Sequence, residues 1–263
     1  MIGIVRQWLA GLPAYLWGGW GAIASLLLLL AGWEFASQWL DPLALPDPRT
    51  VLATLHGLLT DGNAWSDLGI TGRRALSGFA LSLGIGSALG MLAGLSMTAS
   101  MMARPWVTVL VGTPPIGWLV LAMLWFGASD GTPVFTVFVA CFPPIFIGAM
   151  QGVRTLDGQL REMAQAFALP PVQRLFDLYL PHVLSYLFPA WITALGVSWK
   201  VVVMAELLAT ADGVGAALAV TRSQLDTAGS LAWIVAVVGA LLAVEYLLLE
   251  PVKREVERWR TLA

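Results

Sequence analysis

Residues 153–186 read VRTLDGQLREMAQAFALPPVQRLFDLYLPHVLSY, a long polar stretch set between strongly apolar runs. Its composition is not that of a disordered segment. Two helical pieces are expected, Asp157 to Leu169 and Val172 to Tyr179, separated by Pro170-Pro171 and followed by a second break at Pro181. Asp157 suits the cap of the first piece and Pro171 the first position of the second. Each piece mixes apolar with charged positions, as a helix that docks on another protein does. The plainer reading is a helical hairpin that merely joins its two neighbours.

Those neighbours are membrane spans. With 58% hydrophobic and 11% charged residues the chain lies far from soluble proteins, of which about 25% is charged. A crossing helix needs about 20 mostly apolar residues, and six such runs occur, at about 20–40, 75–96, 105–127, 133–152, 187–209 and 231–249. The expected fold class is therefore an all-α integral membrane protein with a single transmembrane domain over 1–263. The first run follows Trp8, Tyr15, Trp17 and Trp20, an aromatic belt, and reads as a retained helix and not a removed signal peptide. The second carries Gly86, Gly90 and Gly94 on one face, a spacing that lets helices approach closely. The third and fourth contain Pro114-Pro115 and Pro143-Pro144, and both are expected to be interrupted.

Six spans put both termini on one side. With that side cytoplasmic, the inner segments hold Arg6, Arg104, Arg154, Arg161, Arg174, Lys253, Arg254, Arg258 and Arg260, against Arg49, Arg73, Arg74 and Arg222 outside. The excess places both termini, and the 153–186 loop, in the cytoplasm. On the outer side Leu45 to Gly62 reads as a short surface helix capped by Asp47, with Pro48 at its first position.

Within the loop, Glu162, Met163, Ala164, three residues, Ala168, nine residues, then Leu178, Tyr179, Leu180 and Pro181 follow one another. This spacing resembles the E-A-A-x3-G-x9-I-x-L-P loop of permease subunits of binding-protein-dependent ABC importers. Glu162, Ala164, Leu180 and Pro181 match outright, whereas Met163, Ala168 and Leu178 stand for Ala, Gly and Ile. Ala168 lacks glycine's freedom at positive φ, so the bend is expected to move to Pro170-Pro171. The resemblance narrows to the nitrate, sulfonate and taurine type through Trp33-Glu34, Leu45-Pro46-Asp47-Pro48, Arg73-Arg74 with Gly78-Phe79, Leu124-Trp125-Phe126-Gly127 and Ala205-Glu206-Leu207-Leu208.

The resemblance implies the type I importer permease (MetI-like) fold in a bacterial inner membrane. It further implies a second permease copy in a homodimer, two cytoplasmic ABC ATPase subunits and a periplasmic solute-binding protein. The loop would be the ATPase-coupling element, with Glu162 making a charged contact, Leu175, Phe176 and Leu178 anchoring, and Ala164, Ala168, Leu180 and Pro181 completing the set. No phosphate-binding G-x-x-x-x-G-K-[ST] loop is present, so no cofactor is expected on this chain, and ATP with Mg2+ belongs to the partner ATPases. The chain is then a non-catalytic subunit for a small anionic solute such as nitrate, a sulfonate, taurine or bicarbonate.

Ionisable groups inside spans cost roughly 2.5–3.5 kcal/mol at the centre and mark sites; here they are Glu34, Lys200, Glu206 and Glu245. Lys200 attracts an anionic solute, or is neutralised by one of the three acids, or reaches to an interface along its own stem; Glu206 lies about 240° around the same helix. Thr113, Pro114, Trp199, Lys200 and Glu206 are the candidate pathway residues. His56 and His182 read as bystanders. One cysteine, Cys141, and two separated histidines exclude an internal disulfide and a metal cluster. The net charge of −2 excludes a nucleic-acid partner. The alternative is a stand-alone secondary transporter or channel that uses the buried charges for ion coupling; a membrane enzyme has no constellation to support it.

Overall fold

Glycine spacing decides how the central helices meet. In the computed structural model, which describes residues 21, 24–60 and 62–245, the helices are α1 (Ala24–Ser37), α2 (Pro48–Thr60), α3 (Asn63–Gly94), α4 (Met97–Gly112), α5 (Pro115–Phe126), α6 (Gly131–Arg154), α7 (Gly158–Ala166), α8 (Pro171–Gln173), α9 (Leu180–Ala209), α10 (Val214–Ser223) and α11 (Thr227–Val244). A Cβ added at Gly78 would meet Val134 and Val137, at Gly90 the Phe146 carbonyl and Ala149, and at Gly94 Val153 and the Met150 carbonyl. The contact positions advance together, so α3 and α6 run parallel with backbones in near contact. Gly148 meets Ala190 and Tyr186, and Gly152 meets Val183, so α9 returns antiparallel on the other side of α6. The glycine face of the second span is thus consumed inside the chain.

Between these helices lies the core, with Ala75, Val137, Cys141, Ile145, Ala149, Val153, Val183, Leu187 and Leu195 all buried. Among the described residues, four helices are long and apolar enough to cross a membrane: Ala64–Gly94, Gly131–Arg154, Arg174–Ala209 and Thr227–Val244. Taken together, α4 and α5 are also long and apolar enough, but they are bent by 92° at their junction. The 14-residue apolar helix Ala24–Ser37 is the described part of the first expected span. The termini, the start of that span and residues 246–249 of the sixth lie outside the described residues.

Proline pairs have opposite outcomes in α4–α5 and in α6. Thr113 is extended (φ −85°, ψ 122°), as a residue before proline is pushed to be, and Pro115 opens α5. Pro143-Pro144, by contrast, sit inside an unbroken α6, contrary to the expected interruption. The difference is support: α6 is wedged between α3 and α9 with Pro143 buried, whereas Pro114 and Pro115 are exposed. Neighbouring helices hold the chain through a proline that would otherwise break it.

Two helices exceed the bilayer. At 1.5 Å per residue, α3 with 32 residues is about 48 Å long, against about 30 Å of hydrocarbon. It starts 12 residues before the expected position 75, and its first turns project with Trp65, Asp67, Thr71, Arg73 and Arg74. At the opposite end, the helix through Arg174–Ala209 has 36 residues. The second loop piece therefore runs without a break into the fifth span, and Pro181 does not interrupt it. The short helix α2 forms as expected: the Asp47 carboxylate accepts from the Thr50 amide at 3.1 Å and the Thr50 hydroxyl at 2.6 Å, which holds it below the ordinary carboxylate range.

Candidate functional site

The projecting ends of α3 and α9 carry the polar chemistry, and they lie at opposite ends of the bundle. At the end where α3 begins, Glu206 is wholly buried on the last turn of α9, and the Arg74 side chain is 3% exposed on α3. Arg74 Nη1 donates to Glu206 Oε1 at 2.9 Å and to the Asp212 carbonyl at 3.0 Å. Its Nε donates to Asp130 Oδ1 at 2.8 Å, and its Nη2 reaches Asp130 at 2.5 Å and Asp212 Oδ1 at 2.6 Å. All five guanidinium N–H groups are used.

Glu206 is equally well held. Its Oε2 accepts from the Thr71 hydroxyl at 2.7 Å and the Gly215 amide at 3.1 Å, and Thr71 in turn accepts from the Val214 amide at 2.9 Å. The loop 210–213 can wrap the carboxylate because Gly213 is at φ 90°, where a Cβ would stand 2.5 Å from Glu206 Oε1. The start of α6, the end of α9, the start of α10 and the projecting part of α3 are thus tied at one point. Asp130, half exposed and outside the span, is held below the ordinary carboxylate range by the hydrogen bonds from Arg74, against some desolvation and with help from the charge of exposed Arg73.

Glu206 and Trp199 both occupy buried, packed positions. Trp199 is buried against α3, its ring edge 3.7 Å from where a Gly72 Cβ would be. Lys200, the next residue, points the other way and is exposed, with no ion pair among the described residues. Neutralisation by Glu206 is thereby replaced by the Arg74 contact, and neither Glu34 nor Glu245 pairs with the lysine. Thr113, at the α4–α5 elbow, turns its hydroxyl back to the Val109 carbonyl at 2.8 Å, and Pro114 beside it is exposed. Arg74 was legible only as one of two adjacent arginines; the signal for its partner is opposite charges at the same depth on two different spans.

At the other end, α7 is capped by Asp157, whose Oδ1 accepts from the Gln159 amide at 3.0 Å. Ala164 is buried, whereas Glu162, Met163 and Phe167 are exposed. The helix ends with Ala168 N–H donating to the Gln165 carbonyl at 2.9 Å and Leu169 N–H to the Ala164 carbonyl at 3.1 Å, the Schellman pattern. Its left-handed position is Ala168 itself, at φ 49°. The bend has not moved to the proline pair, because the two hydrogen bonds over-determine the turn and hold alanine where glycine is usual, against a cost of about 1–2 kcal/mol. Beyond the prolines, Leu175 and Phe176 are exposed while Leu178 and Leu180 are half-buried. His182 is tied at 3.2 Å to Thr155 at the end of α6, which fastens the two roots of the loop together.

Comparison with known proteins adds the following. Residues 80–256 match the family described as binding-protein-dependent transport system inner membrane component. A putative aliphatic sulfonates transport permease protein, SsuC of Bacillus subtilis, is 30% identical over 257 residues, covering 96% of this chain and 88% of its own. The taurine transport system permease protein TauC of Escherichia coli is 28% identical over 74% of this chain and 73% of its own. The nitrate import permease protein NrtB of Synechococcus elongatus is 24% identical over 73% of each.

Proposed function

The chain belongs to the family of inner-membrane components of binding-protein-dependent transport systems, as a multi-pass permease subunit of the nitrate, sulfonate and taurine type, and from that premise we propose how it works. Six spans with both termini cytoplasmic form one wall of a pathway, and a second copy forms the other in a symmetric homodimer. A periplasmic binding protein delivers the solute at the Arg74 end. Two ABC ATPase subunits, holding ATP and Mg2+, dock on the loop at the opposite end. Their closure rocks the spans and alternates access to the pathway.

The observation that carries this reading is the exposed row Leu175–Phe176 on a segment continuous with α9. A force applied at that row reaches the outer end of the chain through one helix. Glu162, exposed on α7, supplies the charged contact. Ala164 and Ala168 shape the α7 turn, while Leu178, Leu180 and Pro181 join it to the span. The expected result for Glu162→Gln and Leu178→Glu is transport reduced at least tenfold, with membrane insertion intact. Normal assembly with the ATPase and normal transport by both variants would sink the assignment.

For the solute, the informative group is Lys200. It lies nine residues below the outer end of α9, about 14 Å into the membrane, exposed and unpaired among the described residues. A bare ammonium on a lipid-facing surface costs roughly 2.5–3.5 kcal/mol, so this face of α9 lines the water-filled pathway, with Thr113 and Pro114 at its wall. The cargo is a small anion of the nitrate, sulfonate, taurine or bicarbonate kind. Lys200→Met is expected to weaken solute-stimulated ATPase activity several-fold in liposomes while basal activity persists. Stimulation equal to that of the parent would remove the lysine from the pathway. A stand-alone ion-coupled carrier is less well supported, since both Glu206 oxygens are committed to Arg74, Thr71 and the Gly215 amide.

A further inference from the structure

Between the loop and the fifth span the backbone changes register. Residues Arg174–Tyr179 form a π-helix, a wide turn with i to i+5 hydrogen bonds, closed by Leu180 N–H donating to the Leu175 carbonyl. Regular α structure resumes at Leu180 and continues to Ala209. The cause lies one residue further on. Pro181 has no N–H to give to the Asp177 carbonyl, and in an α register its ring would press on that carbonyl. Widening the preceding turn relieves the clash without breaking the helix. The wide turn therefore holds one residue more than an α-helix needs, and it holds it between the residues that face the partner and the span that must move.

The turn is also only partly secured. Leu175, Phe176 and Asp177 are exposed on one side, and on the other the Arg174 Nε is shut away from solvent without a hydrogen-bond partner among the described residues. Directly after it the packing becomes firm, with Val183 and Leu187 buried against α6. The boundary between a loosely and a firmly held part of one helix falls at the Leu180-Pro181 pair.

We propose that Arg174–Tyr179 is a π-to-α hinge, through which the docked loop turns relative to α9 during the transport cycle. This rests on the coupling reading of the loop and adds to it a mechanism. When the extra residue is expelled from the wide turn, the segment before it rotates by about 100° and advances by about 1.5 Å relative to α9. Leu175 and Phe176 keep their grip on the ATPase while α9 is released to tilt. Pro181 is the positioning residue that keeps the wide form available.

The test uses the assembled importer in lipid nanodiscs, with Cys141→Ser as background and spin labels at Gln173 and Thr193, both exposed on the same continuous helix. The expected result is two label distances, one in the nucleotide-free and one in the ATP-trapped state. Pro181→Ala, which restores the missing donor and removes the ring, is expected to give one distance in both states, with transport reduced at least tenfold and ATPase subunits still co-purifying. A single distance throughout in the parent, or normal transport by Pro181→Ala, overturns the hinge and leaves the coupling reading standing. Undiminished ATPase binding by Leu175→Glu/Phe176→Glu would instead remove the coupling reading. Should Pro181→Ala fail to assemble, the two-state distance measurement on the parent decides alone.

Discussion

Replacing Arg74 with methionine destabilises the folded chain by about 3–5 kcal/mol, the usual cost of removing one partner of a buried ion pair. Glu206 is wholly buried, and without the guanidinium its charge keeps only the Thr71 hydroxyl and the Gly215 amide. Arg74→Lys recovers little, because an ammonium offers three donors where five are in use. The pair can be separated from its parts by a double-mutant cycle. Arg74→Met combined with Glu206→Gln is expected to be more stable than Arg74→Met alone, since no uncompensated charge is then left inside. Thermal unfolding in detergent, followed for the parent, both single variants and the double variant, measures this. Additive losses would mean that the two side chains do not support one another.

Gly90→Ala and Gly84→Ala are expected to shift stability in opposite directions although both occupy the same helix. A Cβ at Gly90 would stand 2.4 Å from the Phe146 carbonyl and 2.8 Å from the Ala149 Cβ, both on the neighbouring helix and neither able to swing aside. Helices α3 and α6 must separate, at a cost of about 1–3 kcal/mol or more. A Cβ at Gly84 meets nothing within 4 Å, and alanine there gains up to about 1 kcal/mol of helix propensity. Unfolding of the two variants under one set of conditions checks the sign as well as the size. A similar gain from both would show that helix propensity acts alone and that the α3–α6 contact does not constrain Gly90.

The existence of most spans was legible because a bilayer demands long apolar runs, and that demand is local in sequence. The outer helix capped by Asp47 and the α7 cap at Asp157 were legible for the same reason, each being settled within three residues. What was not legible depends on partners far along the chain. Pro143-Pro144 and Pro114-Pro115 are alike in sequence, and only the helices on either side of α6 distinguish them. Ala168 takes the left-handed position against its own preference because two hydrogen bonds from the α7 turn require it. The Arg74–Glu206 contact joins residues 132 positions apart, and no spacing rule reaches that far. Lys200 stands out in the sequence as an ionisable group in an apolar run, but its lack of an ion pair among the described residues became visible only once Glu206 was found to be occupied.

The full use of Arg74 has a consequence for ions arriving from outside. The outer cluster sets the carboxylates of Asp130, Asp212 and Glu206 against the guanidiniums of Arg73 and Arg74, so it retains one surplus negative charge. None of the five N–H groups of the buried guanidinium is left to greet an anion, and the carboxylates that remain half exposed repel one. A free anion approaching the cluster thus meets a deterrent, while Lys200, without an ion pair among the described residues, lies about 14 Å further along α9. In the proposed assembly this surplus negative charge discourages leakage at the mouth of the pathway and reserves passage for cargo that a binding protein carries past it.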